Sequence, residues 1–211
     1  MGNHLNLDWT QIRSELIKDL QSLLQFLRNP LERIRSAPTW GWPSQLVFLL
    51  AMSASSGALN GILSKSFFRL LEGIFILPLS SVIVLLIAAG FFYYLSLFLL
   101  EQQIAFKKLT SLLLLVSIPT FLMNILSPVL GLFAPILGLA LSGLLLMVGL
   151  VENFKLPRRP IIKVVAGLYL AILILWLLNA ILTYRETRSL EQFRKDPQSL
   201  DILERELRRG R

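Results

Sequence analysis

Residues 109–151 read LTSLLLLVSIPTFLMNILSPVLGLFAPILGLALSGLLLMVGLV, 43 positions without an Asp, Glu, Lys, Arg or His. Lys107 and Lys108 close the run on one side and Glu152 on the other. One transmembrane helix uses about 20 apolar residues, so this run is about twice what one helix needs. As a single helix it would be about 65 Å long at about 1.5 Å per residue, against a hydrocarbon core of about 30 Å. The chain must therefore turn back within the run. Asn124-Ile125-Leu126-Ser127-Pro128 is the polar, helix-breaking cluster near its middle, and it predicts the turn. The run becomes a tight helical hairpin, with spans at about 109–126 and 129–151.

The rest of the chain is counted outward from that hairpin. Of its 211 residues, 55% are hydrophobic and 16% charged, where a soluble domain carries about 25% charged. The charges lie in short clusters between long apolar blocks, the pattern of a polytopic helical membrane protein. A transmembrane barrel would show short alternating segments instead. The expected fold is an all-α bundle of five spans, at about 45–63, 73–100, 109–126, 129–151 and 161–184. An amphipathic interfacial region, 1–44, precedes it, and a charged helical tail, 185–211, follows.

In the first region, Trp9, Ile12, Leu16, Leu20, Leu23, Leu24 and Leu27 recur at helical spacing, with Arg13, Lys18 and Gln21 largely opposite. Such a helix either lies in the headgroup layer or packs on a partner; Trp9 and Arg28 favour the surface. Residues 1–27 do not read as a signal peptide, because Asp8, Glu15 and Asp19 interrupt them. Asn29-Pro30 ends the helix and starts a short basic one. Trp40 and Trp42, flanked by Pro38 and Pro43, read as an interfacial aromatic anchor. Arg158 and Arg159, just before the fifth span, suit the membrane interface too.

Two faces of small residues are expected to let helices approach closely: Ser53, Gly57 and Gly61 in the first span, and Ala134, Gly138 and Ser142 in the fourth. For the first face, packing within the bundle is the preferred reading and a homodimer seam the alternative. Asn60, beside it, requires an interhelical partner or a water. Pro119 and Pro135 are kink candidates and Pro128 a turn residue. Tyr93 and Tyr94, well inside the second block, are candidates to bring hydroxyls into the bundle. Pro197 is expected to divide the tail, where Leu200, Leu203 and Leu207 keep helical spacing.

Five spans put the termini on opposite sides, with eleven basic residues on the N-terminal side and ten on the other. Weighting those nearest the membrane favours a cytoplasmic N-terminus, against the pull of the basic tail. The net charge of +8 is carried beside apolar spans, which points to anionic lipid headgroups and not to nucleic acid.

Reactive chemistry is sparse. There is no Cys, which excludes disulfides, thiolate nucleophiles and Cys-based metal sites. The single His, His4, stands at the N-terminal end, and no carboxylate or Lys lies well inside a span. No pair of groups fits an activated nucleophile, an acid/base couple or a metal centre, and no phosphate-binding loop occurs. The expectation is a non-enzymatic protein without metal or cofactor. Ion-coupled transport is disfavoured for want of intramembrane charge. A channel, carrier or lipid-handling role survives, because Pro119, Pro128 and Pro135 free carbonyls that can line a path.

The order of features resembles the Yip1 family of five-span membrane proteins over about residues 26–184. The resemblance rests on the pre-helix with Asn29-Pro30, then Pro38 and Trp40, then Phe106-Lys107-Lys108 after the second span. It continues with Ile118-Pro119 and Leu122–Leu126 in the third, Leu137–Gly149 in the fourth, and a basic loop into the fifth. It implies a five-span membrane fold. Trafficking members contact Rab-type GTPases through an N-terminal Asp-Leu-Tyr motif, which this sequence lacks, so Rab binding does not carry over. The chain looks more like the prokaryotic relatives, implying a bacterial cytoplasmic membrane. The functional expectation is a membrane scaffold or interaction partner in membrane organisation or trafficking. Its partners would be anionic lipids, another protein or a second copy of the chain.

Overall fold

The computed structural model describes residues 9–131 and 133–195, with side chains from Arg13 to Asn179, apart from Leu132, and at Ile181. Its helices are α1 (Trp9–Arg28), α2 (Pro30–Arg35), α3 (Trp42–Leu63), α4 (Phe67–Phe98), α5 (Phe106–Leu130), α6 (Phe133–Val148) and α7 (Arg158–Lys195). A π-helical turn, Gly149–Asn153, extends α6. Five of these stretches are long and apolar enough to cross a membrane: Trp42–Leu63, Phe67–Phe98, Phe106–Leu130, Phe133–Asn153 and Arg158–Asn179. The molecule is an all-helical bundle with a hairpin between its third and fourth spans. It forms two units, one to Gly167 and one from Leu168.

In the first unit α5 is central and touches α3, α4 and α6. Its first turns are buried all round, from Leu109 through Val116, as expected of a helix that is apolar on every side. Association between helices in lipid gains little from the hydrophobic effect and depends on steric fit and polar contacts. Both are visible here. Gly57 of α3 and Gly73 of α4 meet backbone to backbone, and a Cβ added to either would collide with the other's main chain. One turn along, a Cβ on Gly61 would lie 2.5 Å from Leu70 Cα. On the other flank, Gly138 of α6 faces Thr120 and Met123 of α5.

Helix ends follow local chemistry. Pro43 stands in the first turn of α3, where its missing N–H costs nothing. The Ser66 hydroxyl accepts the Arg69 N–H at 3.3 Å and caps α4. This cap starts α4 at Phe67, so Arg69 and Glu72 belong to the helix, which begins ahead of the second span expected from about residue 73. The inter-span links are short, and Lys65, Glu101 and Lys155 each adopt a left-handed backbone (φ 51°, 52° and 56°).

The hairpin turn lies further on than the sequence suggests. Asn124, Ser127 and Pro128 are all inside α5, and the chain reverses at Gly131, whose φ of 58° suits glycine. Pro128 is thus a residue within a helix, not the turn. Pro119 is also internal to α5, and Pro135 falls in the first turn of α6, where no internal hydrogen bond is lost.

The N-terminal elements lie against the bundle. α1 buries Leu23 and Phe26, and α2 buries Ile34 completely. Gly149, in the π-turn, makes room for that plug: a Cβ there would lie 2.5 Å from Leu112 Cδ1 and 3.2 Å from Ile34 Cγ1. In the second unit α7 continues from Leu168 to Lys195, with Leu170, Ile174, Leu175 and Leu178 exposed along it. The expected break at Pro197 and the leucines beyond it lie outside the described residues, as do His4 and the Trp9 side chain.

Candidate functional site

Two polar seams join α3 to α5. The first centres on Gln45, only 2% exposed. Its Nε2 donates to the Trp40 carbonyl (3.0 Å) and the Ser111 hydroxyl (3.0 Å), and it also lies 3.2 Å from the Lys107 carbonyl. The Trp40 N–H donates to the same Ser111 hydroxyl at 3.1 Å. This seam corrects the reading of Trp40 as an interfacial anchor. The ring is 1% exposed and packs edge-on against Phe48 at 5.2 Å. Backbone bonds on both sides of the ring draw the residue inward. Trp42 does remain at the surface, 6.1 Å from Phe106.

The second seam lies near the α3–α4 turn. The Asn60 side-chain amide donates to the Asn124 carbonyl (2.5 Å) and to the Ser127 hydroxyl (2.7 Å). Asn124 in turn donates to the Ser56 hydroxyl at 3.0 Å, which donates to the Phe121 carbonyl at 2.8 Å. Pro128 explains why the Asn124 carbonyl is available. Having no N–H, proline frees the carbonyl four residues before it. Asn60 and the Ser127 hydroxyl (2.9 Å) take up that carbonyl. The cluster expected to turn the chain is therefore what pins α5 to α3.

Beside this seam a cleft of about 350 Å³ opens between α4 and α5. Gly57 and Asn60 of α3 contribute one side, Asn124 and Ser127 of α5 another, and Arg69, Glu72, Gly73, Ile76, Leu77 and Ser80 run along α4. The Arg69 guanidinium donates to Ser64 at 3.3 Å, and Ser64 donates to the Asn60 side-chain oxygen at 3.3 Å. A continuous line of hydrogen bonds thus leads from the charged rim to the seam.

Gly57 and Gly61 meet α4, while Ser53 is buried and donates to its own Leu49 carbonyl at 2.6 Å. Ala134, Gly138 and Ser142 are buried on α6, and Ser142 shares a 2.8 Å hydrogen bond with Thr120. Tyr94 corrects another expectation. It is exposed and stacks on Phe98, while half-buried Tyr93 meets the Phe106 ring edge-on. A tyrosine needs a polar partner to gain from a place inside the bundle, and the apolar α4 supplies none. Arg158 and Arg159 are exposed at the start of α7. Nearby, the Lys108 ammonium lies 5.2 Å over the Phe154 ring, joining the two bases of the hairpin.

Sequence reasoning missed Gln45, Gly73 and the cleft. Gln45 carried a signal, as a polar residue opening an apolar span; Gly73 carried none until its partner was known. Among the described residues no group of three or more His, Cys, Asp or Glu could hold a metal ion.

The fold and its polar seams define a multi-pass helical membrane protein whose apolar spans contact lipid. The family model for the Yip1 domain matches residues 24–180. The chain belongs to the Yip1 domain family. No curated protein and no solved structure shows significant similarity to it.

Proposed function

We propose that this protein is a non-enzymatic organiser of its membrane, acting through surfaces and not through a reactive centre. The observation that carries the reading is the face α1 turns outward. Leu23 and Phe26 hold the helix to the bundle, while Ile17, Leu20, Leu24 and Leu27, at alternating three- and four-residue spacing, are each about half exposed. Leu31 of α2 extends the stripe. A fixed amphipathic helix of this kind inserts its apolar face at the boundary of headgroups and acyl chains. Arg28, Arg33 and Arg35 supply cations for anionic headgroups. On this reading the N-terminus is cytoplasmic, in a bacterial inner membrane, and the bundle offers its exposed spans to lateral partners.

The conducting-path reading has less support. The carbonyl freed by Pro128 is already occupied by Asn60 and Ser127, so it is not free to coordinate a passing solute.

Reconstitution into anionic vesicles tests the proposal. Wild-type protein is expected to change vesicle size or shape as its density rises. Leu20→Glu together with Leu24→Glu is expected to abolish that change while leaving the helical content intact. Unaltered vesicles with the wild type, or equal effects of both proteins, would overturn the reading.

A further inference from the structure

The cleft between α4 and α5 is separate from the outward face of α1, and a role for it stands independently of the organiser reading. Its depth in the bilayer follows from length. α4 has 32 residues and is about 48 Å long, against a hydrocarbon core of about 30 Å. The surplus of about 18 Å is taken up by tilt or leaves the helix ends at headgroup depth. Arg69 and Glu72, the two charged residues of α4, stand in its first two turns beside the α3–α4 link, where charge favours headgroup depth, and Ile76, Leu77 and Ser80 follow in the apolar stretch.

The chemistry changes along the cleft in the same sense. At the rim are one cation and one anion, three residues apart on α4 and hence neighbours on its surface. No ion pair joins either to another described residue. Arg69 uses one of its N–H groups on Ser64 and keeps the rest of a fork suited to phosphate. Glu72 is exposed beside it. The facing wall holds Asn60, Asn124 and Ser127, whose amides and hydroxyl are engaged in the seam, while Gly57 and Gly73 present only backbone and Ile76 and Leu77 apolar surface. The cleft volume, about 350 Å³, is near the lower end for small-molecule sites, room for a headgroup and the first carbons of its chains.

We propose that this cleft binds one phospholipid with a zwitterionic phosphate–ammonium headgroup. Its phosphate lies on Arg69, its ammonium on Glu72, and the start of its acyl chains along Ile76, Leu77 and Ser80. A single Arg would accept any phosphate; the adjacent carboxylate selects a headgroup that also carries a cation and repels one that is purely anionic. The two carbons between phosphate and ammonium match the spacing of side chains one helical turn apart.

Native mass spectrometry of the delipidated full-length protein in detergent tests this. It is titrated with phosphatidylethanolamine and with phosphatidylglycerol of the same acyl chains, and separately with soluble glycerophosphoethanolamine. Phosphatidylethanolamine is expected to bind with one-to-one saturation, at least about fivefold tighter than phosphatidylglycerol. Glu72→Gln should erase the preference, and Arg69→Gln should weaken both lipids. Should one variant fail to fold, the other carries the test, since both groups are exposed and act on different partners. Ser80→Phe should reduce lipid binding by filling the acyl end, with the thermal midpoint unchanged. Equal binding of the two lipids, binding of neither, or a preference untouched by Glu72→Gln would overturn the proposal. Competition by the soluble headgroup at lipid-like affinity would overturn the lipid assignment.

Discussion

At the scale of single residues, this bundle is decided by where side chains are missing. Gly57 and Gly73 touch through their main chains, so any side chain at either must push two helices apart. Gly57→Leu is expected to cost about 3 kcal/mol or more, measured by steric trapping or denaturant unfolding in detergent. Gly90, with nothing within 4 Å of an added Cβ, is the contrast: Gly90→Ala should stay within about 1 kcal/mol of wild type. Asn60→Ala removes donors to the Asn124 carbonyl and Ser127, a loss of about 1–2 kcal/mol on the scale of interhelical hydrogen bonds in membranes. The loss should shrink in a Pro128→Ala background, where a restored N–H competes for the same carbonyl. A double-mutant cycle reads the coupling; strict additivity would refute the role assigned to Pro128. Asn60's need for a partner was legible in the sequence, because an amide inside an apolar span cannot stay unpaired. Trp40 was not: a tryptophan between prolines ahead of a span looks the same whether it faces lipid or turns in onto Phe48.

At the scale of helices, periodicity and length identified the spans, and errors arose where polar residues had two uses. Asn124, Ser127 and Pro128 have the composition of a turn, yet they serve a helix–helix seam because Asn60 faces them from α3. Arg69 and Glu72 have the charge of a loop, yet Ser66 caps the helix ahead of them. No pattern within one helix reveals a partner on another. The same holds for α2, whose Ile34 is fully buried against the space left by Gly149. Gly149→Val should expel that plug. Amide hydrogen exchange over residues 30–36 is expected to rise by about an order of magnitude or more, while exchange in the shared α3–α4 contact stays slow. Unchanged protection over residues 30–36 would show that α2 is held by other means.

At the scale of the whole molecule, five stretches long and apolar enough to cross a membrane predict a parity that labelling can read. The chain has no cysteine of its own. Single Cys residues at Ser14, Gln103 and Lys155 are expected to react from one side of intact vesicles, and those at Ser66, Val129 and Ser199 from the other. Val129 tests the outer end of the hairpin, since it is exposed beside the Gly131 reversal. Ser199 reacting with the first group would disprove an odd number of crossings. The hairpin was legible because a 43-residue uncharged run is too long for one span, and the other three spans because each is a long apolar block between charged clusters. The cleft was not, because it exists only where three helices separated in sequence converge.

That convergence has a consequence for the order in which the chain assembles. The α3–α4 contact joins Gly57 to Gly73 across a three-residue turn, and the α5–α6 contact joins Thr120 to Ser142 at a separation of 22. The bonds from Asn60 to Asn124 and from Ser56 to Phe121 span 64 and 65 residues. Closing a longer loop costs more entropy and slows the contacts that depend on it. Two helical hairpins therefore form early as the spans enter the bilayer, each zipping from its own turn. The two polar seams between α3 and α5, whose bonds span 62 to 71 residues, are expected to close after them, so the Gln45, Asn60 and Asn124 amides wait for partners until the hairpins meet.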